Sequence, residues 1–64
     1  MKKQNYREAR KKAGLKPEKA ATELDVSITT LLNWERGNTA PDADKLVLMA
    51  RAYGVSADYL LALA

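Results

Sequence analysis

The sequence predicts an all-α fold, a compact domain of five short helices, and three observations carry that expectation. Apolar residues recur at i, i+3, i+4 and i+7 spacings in successive short stretches, as in helices buried along one side. Those stretches open on Ser, Asp or Pro and mostly close on Gly, the residues that helix ends require. No stretch alternates apolar and polar residues over the length of a strand. At 64 residues the chain is expected to form a single domain, residues 1–64, without repeat or linker.

The first helix is expected over residues 4–13, with Tyr6, Ala9, Arg10 and Ala13 on its inward stripe. Gly14 ends it, and Leu15 supplies the apolar residue that often follows such a cap. The second spans residues 17–24. Pro17 sits at its first position, where a missing N–H costs nothing, and Glu18 lies near the positive end of its dipole. Ala20, Ala21 and Leu24 face inward. Asp25 and Val26 form the turn, and Asp25 stands where the backbone needs a left-handed residue, a conformation Asp tolerates better than most. The third helix, residues 28–35, is capped by Ser27, anchored by Leu31 and Trp34, and stopped by Gly37. Residues 36–41 read as a loop from their Gly, Asn and Pro content. Asp42 caps the fourth helix, residues 43–53, whose inward set is Leu46, Val47, Met49, Ala50 and Tyr53; Gly54 ends it. Ser56 caps the last, residues 57–63.

Composition narrows the function. The chain has neither Cys nor His, which excludes disulfides and the usual zinc sites; no metal and no cofactor are expected. No catalytic residue stands out, because there is no glycine-rich phosphate loop and no carboxylate pair with a shared task. Glu18, Asp42 and Asp58 have helix-start roles, so an enzyme is not expected. Lys2 and Lys3 are followed by polar residues, and the apolar runs are too short to cross a membrane. A cytoplasmic protein without a membrane partner is the expectation. The formal charge of +3 suits an anionic partner.

The second and third helices, joined by a turn of three or four residues, form the αα unit that presents a helix to the DNA major groove. Arg10 lies on a buried stripe, where an unpaired charge is costly. Glu35, at the end of the third helix, is the partner expected for it; the alternative is that Arg10 snorkels to solvent along its stem.

Taken in order, Arg7-Glu8-Ala9-Arg10, Gly14-Leu15, Ala21, Leu24, Val26-Ser27, Leu31 and Trp34-Glu35-Arg36-Gly37 form a specific pattern. Pro41, Leu46, Ala50, Gly54-Val55-Ser56 and Asp58-Tyr59-Leu60-Leu61 continue it. Over nearly its whole length the chain resembles the lambda-repressor-like DNA-binding domains of the Cro/C1 (XRE) type. The resemblance implies a five-helix fold with helices two and three as the helix-turn-helix, transcriptional repression as the commonest role, and the same Arg10–Glu35 pairing. The chain departs from the pattern at Pro17, where many members carry Gln, at Asp25, where the turn usually has Gly, and at Lys16, often Ser or Thr.

Candidate base contacts are the outward residues of the third helix. Asn33 suits the N6 and N7 atoms of adenine, Thr29 a base or phosphate, and Ile28 and Leu32 the thymine methyl. Ser27 is expected to be occupied in capping. Candidate phosphate contacts are Lys16, Pro17 and Lys19 around the start of the second helix, and Arg36 with the Asn38 and Thr39 backbone beyond the third, where family members touch the sugar–phosphate chain. Lys11 and Lys12 are expected to flank the same side.

The partner so implied is double-stranded DNA, bound by a sequence-specific regulator such as a repressor or a phage-type switch component. Tyr59, Leu60, Leu61 and Leu63 exceed what a short terminal helix needs for docking. In related domains this end often mediates a two-fold homodimer, which would set two reading helices roughly 34 Å apart; otherwise these residues close the core over helix four. The rival reading is a protein-interaction module, antitoxin- or antirepressor-like, that uses the apolar Ile28 and Leu32 stripe.

Overall fold

The computed structural model describes residues 4–63. Five helices follow one another: α1 (Tyr6–Lys12), α2 (Pro17–Glu23), α3 (Ile28–Arg36), α4 (Ala43–Tyr53) and α5 (Ala57–Leu60), with no strand among the described residues. Their core is Tyr6 and Ala9 from α1, Ala20, Ala21 and Leu24 from the α2 segment, Leu31 and Trp34 from α3, Met49 and Tyr53 from α4, and Leu60. Leu24, Leu31, Met49 and Leu60 are fully buried. Each side chain so buried stabilises the fold by about 1.5–3 kcal/mol.

Local chemistry sets the boundaries. Ser27 Oγ accepts from the Thr30 N–H (3.1 Å), Asp42 Oδ1 from the Lys45 N–H (2.9 Å) and Ser56 Oγ from the Tyr59 N–H (3.0 Å). Each cap is worth about 1 kcal/mol. The first helix starts at Tyr6 rather than at residue 4, because Asn5 is tied to the far end of the chain. Its backbone N–H donates to the Leu60 carbonyl (2.9 Å) and its Nδ2 to the Tyr59 carbonyl (2.8 Å). Ala13, expected on the buried stripe, lies past the last turn of α1 and is exposed.

The last helix stops at Leu60, three residues short of the expected end. Ala62 takes a left-handed backbone (φ 59°), and the Ala62 and Leu63 N–H groups turn back to the Tyr59 (3.1 Å) and Asp58 (2.9 Å) carbonyls. Those two bonds close the helix. Val47 corrects a second expectation. The inward positions of α4 run Leu46, Met49, Ala50 and Tyr53; Val47 is one step off that stripe and 48% exposed.

The junction of α2 and α3 positions the site. Asp25 holds a left-handed backbone (φ 56°), and the Asp25 and Val26 N–H groups donate to the Thr22 (3.2 Å) and Ala21 (3.0 Å) carbonyls. Lys45 reaches across from α4 and donates from Nζ to the Leu24 carbonyl at 3.0 Å, so an amine from elsewhere caps a helix with no basic residue in its own last turn. Ala20 and Ala21, both buried, let α3 lie close to α2. Among the described residues no helix is long and apolar enough to cross a membrane.

Candidate nucleic-acid interface

The inner side of α3 is held by a buried ion pair. Arg10 is 7% exposed. Its Nε donates to Glu35 Oε2 at 2.7 Å, its Nη2 to Glu35 Oε1 at 3.1 Å, and its Nη1 to the Leu15 carbonyl at 3.0 Å. The two-pronged geometry satisfies both carboxylate oxygens. The hydrogen bonds to Glu35 hold the Arg10 guanidinium above its ordinary pKa, against the desolvation that opposes it. One ion pair therefore fixes the end of α3 to α1 and to the loop that leads into α2.

The outer side of α3 is different. Thr29 is exposed and Ile28 is 42% exposed, whereas Leu32 and Asn33 are half-buried. Leu32 leans into a cleft beside Pro17, so the expected apolar stripe of Ile28 and Leu32 is divided between surface and groove. Asn33 Oδ1 accepts a long hydrogen bond from Asn38 Nδ2 (3.4 Å), which orients its amide. Ser27 is occupied in capping, as its place before the helix requires.

The flanking positions need two corrections. The backbone N–H groups of Asn38 (3.0 Å) and Thr39 (3.4 Å) both donate to the Asn33 carbonyl. They satisfy the open end of α3, so only the exposed side chains of these two residues are free to reach a phosphate. Lys16 is exposed and makes no capping bond; Pro17 opens α2 half-buried at the wall of the cleft. Lys19 lies 3.8 Å from Glu23 in a solvent-exposed pair, which contributes little. Arg36 is exposed at the end of α3. Lys12 sits over the Tyr59 ring at 5.1 Å, so it belongs to the contact between α1 and the α5 segment rather than to the α2–α3 cluster.

Arg7 is a residue that sequence reasoning missed. It lines the cleft of about 430 Å³ together with Arg10, Pro17, Leu32, Glu35 and Arg36. The signal was its place three residues before Arg10, hence one turn away on the same side of the helix. At the other end of the chain, Leu60 cannot serve a dimer contact as expected, because it is fully buried. Tyr59 and Leu61 pack partly on the core, and Leu63, 73% exposed, is the free member of that set. Tyr53 Oη is buried and has no hydrogen-bond partner among the described residues. Burial pushes its pKa up to about 12, with the Glu35 charge adding to the effect.

A family model described as helix-turn-helix matches residues 7–60. The chain belongs to the helix-turn-helix family, Cro/C1 type. Within it, the chain is 44% identical over 55 residues to the HTH-type transcriptional regulator ImmR of Bacillus subtilis (strain 168), an alignment covering 86% of this chain and 43% of that protein. It is 37% identical over 60 residues to the uncharacterized HTH-type transcriptional regulator YobD of the same strain, covering 94% and 54%. The chain thus spans about half the length of these curated relatives. Its fold superposes with a TM-score of 0.82 on the P22 c2 repressor protein, solved in complex with synthetic operator 9T, at 32% identity over 89% of this chain and 86% of that one. A transcriptional regulator from Listeria innocua superposes at 0.77, with 29% identity over 95% and 61%. In this helix-turn-helix chain α2 and α3 are the motif, and α1, α4 and α5 hold it from behind.

Proposed function

We propose that this chain is a sequence-specific, double-stranded-DNA-binding transcriptional regulator, a repressor or phage-type switch component, that reads the major groove with α3. The observation that carries the reading is the division of α3. Leu31, Trp34 and Glu35 anchor its inner side, while Ile28, Thr29 and the half-buried Asn33 stand on the side turned away from the core. A helix held rigidly on one side, with short polar and apolar groups on the other, can read base edges.

In this reading Asn33 takes adenine, Thr29 a base or phosphate, and Ile28 with the free edge of Leu32 a thymine methyl. Lys16, Lys19, Arg36 and the side chains of Asn38 and Thr39 neutralise or bond the backbone, and Pro17 shapes the wall beside them. Such contacts set register and add affinity without reading sequence. The protein acts by occlusion or recruitment in the cytoplasm, with no chemistry of its own. A two-fold copy would meet it at the C-terminal end through Leu63 and the open edges of Tyr59 and Leu61. The names of the relatives and the operator-bound state of the P22 c2 repressor support this reading.

The test is selection of bound sites from a random double-stranded DNA library, with retention followed from about 50 to 200 mM salt, where phosphate-dependent binding falls steeply. Enrichment of one site is expected, and an inverted repeat would add the two-fold geometry. Retention without enrichment would overturn sequence-specific reading. A salt-insensitive apolar contact through Ile28 would instead move the chain to the class of protein-interaction modules.

A further inference from the structure

We propose that α4 carries a two-fold contact surface for a second copy of this chain, separate from the C-terminal edge. The inner side of the helix is spent on the core through Leu46, Met49, Ala50 and Tyr53. Its exposed residues are Ala43, Asp44, Val47, Leu48, Arg51 and Ala52. Spaced three and four apart, they form one continuous stripe. The centre of that stripe is apolar, with Val47 48% and Leu48 39% exposed. Its ends are charged, Asp44 in the first turn and Arg51 in the last, and neither is ion-paired among the described residues. Compensation of the helix dipole accounts for an acid at the start and a base at the end. It does not account for two large apolar side chains left in water between them.

The order of the stripe names its occupant. Outward from the midpoint between Val47 and Leu48, both directions run apolar, charged, small, and the two charges have opposite sign. A second copy laid antiparallel across a two-fold axis at that midpoint sets Val47 against the other copy's Leu48. The same operation sets Asp44 against Arg51 and Ala43 against Ala52, each pair made twice. A parallel copy would instead set acid on acid and base on base, which repel. The eleven-residue helix is about 16 Å long, so this pairing buries less than the roughly 1,200 Å² of a stable interface. The contact is therefore weak in dilute solution and forms where copies are already concentrated. Beside the C-terminal two-fold proposed above, it would link one pair of copies to the next, because two different two-fold contacts extend an assembly. None of its residues is among the proposed DNA contacts.

The experiment is sedimentation equilibrium without DNA, at low salt, from about 0.05 to 2 mM, a range that brackets a weak contact. It is run on Leu63→Glu, which charges the C-terminal edge and leaves α4 intact. Leu48→Glu, Asp44→Arg, Arg51→Asp and the exchange of Asp44→Arg with Arg51→Asp are then made in that background. The average mass of Leu63→Glu is expected to rise with concentration. Leu48→Glu should abolish the rise, and each single reversal should weaken association on the order of tenfold. The exchange should restore it, because opposite charges again meet across the axis. That recovery cannot come from a firmer helix, since the exchange puts a base at the start of α4 and an acid at its end, the wrong order for the dipole. Thermal melts establish that each variant is folded. Should the exchange unfold the chain, an equimolar mixture of the two single reversals carries the same test, every pair across the axis again being acid with base. If Leu63→Glu stays monomeric throughout, or if Leu48→Glu leaves association unchanged, the α4 contact is wrong. If neither the exchange nor the mixture associates better than the single reversals, the two-fold pairing is wrong. None of these outcomes involves DNA, so the α4 contact can fail while the DNA-binding reading stands, and the reverse.

Discussion

The two sides of α3 differ in how fully their polar groups are satisfied. On the inner side Glu35 meets two guanidinium donors of Arg10, and Leu31 and Trp34 are closed into the core. On the outer side Thr29 is exposed, and Asn33 has one long bond to Asn38. Most buried polar groups find partners within the fold, whereas exposed ones can remain available to a ligand. Stability and the proposed recognition therefore fall to different residues of one nine-residue helix. A mutation on one side should leave the other property nearly intact.

The largest effect is expected from Glu35→Ala. It leaves the Arg10 guanidinium buried beside an empty space, and loss of one partner of a buried pair costs roughly 3–5 kcal/mol. For a domain of this size that is a large share of the total. Urea unfolding measures it, and a loss below about 1 kcal/mol would mean that Arg10 escapes to solvent along its stem. The double change Arg10→Met with Glu35→Leu should recover much of the loss, because it strands no charge. That pair of results would locate the cost in the orphaned ion rather than in helix packing.

A smaller effect sits beside the ion pair. Tyr53 is neutral and buried, its pKa pushed up to about 12. A raised pKa on an acid means that the folded state keeps a proton the unfolded state loses near pH 10. The stabilisation is complete below pH 10 and is lost as pH rises towards 12, by about 1.4 kcal/mol per unit. Urea midpoints at about pH 9 and about pH 11 should differ more in the wild type than in Tyr53→Phe, the lysines being common to both. Near neutral pH, Tyr53→Phe is expected to be neutral or stabilising, since it removes a buried hydroxyl without a partner among the described residues.

The helix ends sharpen the comparison from the stabilising direction. Gly37 closes α3 at a φ of 86°, a conformation open to glycine without strain. Asp25 (φ 56°) and Ala62 (φ 59°) hold similar left-handed positions with side chains attached. Ala62→Gly should gain about 1 kcal/mol in thermal or urea melts, net of the added freedom of the unfolded chain. Asp25→Gly should gain less, because aspartate tolerates that region better than alanine. A larger gain at Asp25 would mean that its side chain is strained against the turn.

Much of this fold was legible because its signals are local. A Ser or Asp that caps a helix, a glycine that ends one and an Asp at a tight turn act within four residues of themselves. Arg10 was legible through conflict, a charge placed on an apolar stripe, and the structure supplies Glu35 as its partner. What escaped depended on position in space. Val47 looked as apolar as its neighbours, and only the rotation of α4 against the bundle leaves it outside. Ala62 gives no chemical hint of a left-handed backbone. Leu60 read as surplus at the end of the chain, yet the amide contacts from Asn5 draw that end over the core and bury it. The cleft lined by Arg7 needed two helices to be brought together before it existed at all.

The smallest effect on stability is expected on the outer side of α3. Asn33→Ala removes one long surface bond, and its melting curve should move by less than about 0.5 kcal/mol. Its effect on recognition should be larger and confined to one place. An amide that bonds adenine at two atoms discriminates by about 1–3 kcal/mol, so the variant should relax preference at one position of each half-site and leave the others unchanged. Arg36→Ala makes the contrast, weakening all duplexes alike and flattening the salt slope. If both variants lose affinity uniformly, Asn33 contributes no base reading, and the sequence preference of α3 must come from Thr29 and the apolar edge formed by Ile28. If Asn33→Ala unfolds the domain instead, its contact with Asn38 is structural, and the separation between the two sides of α3 fails.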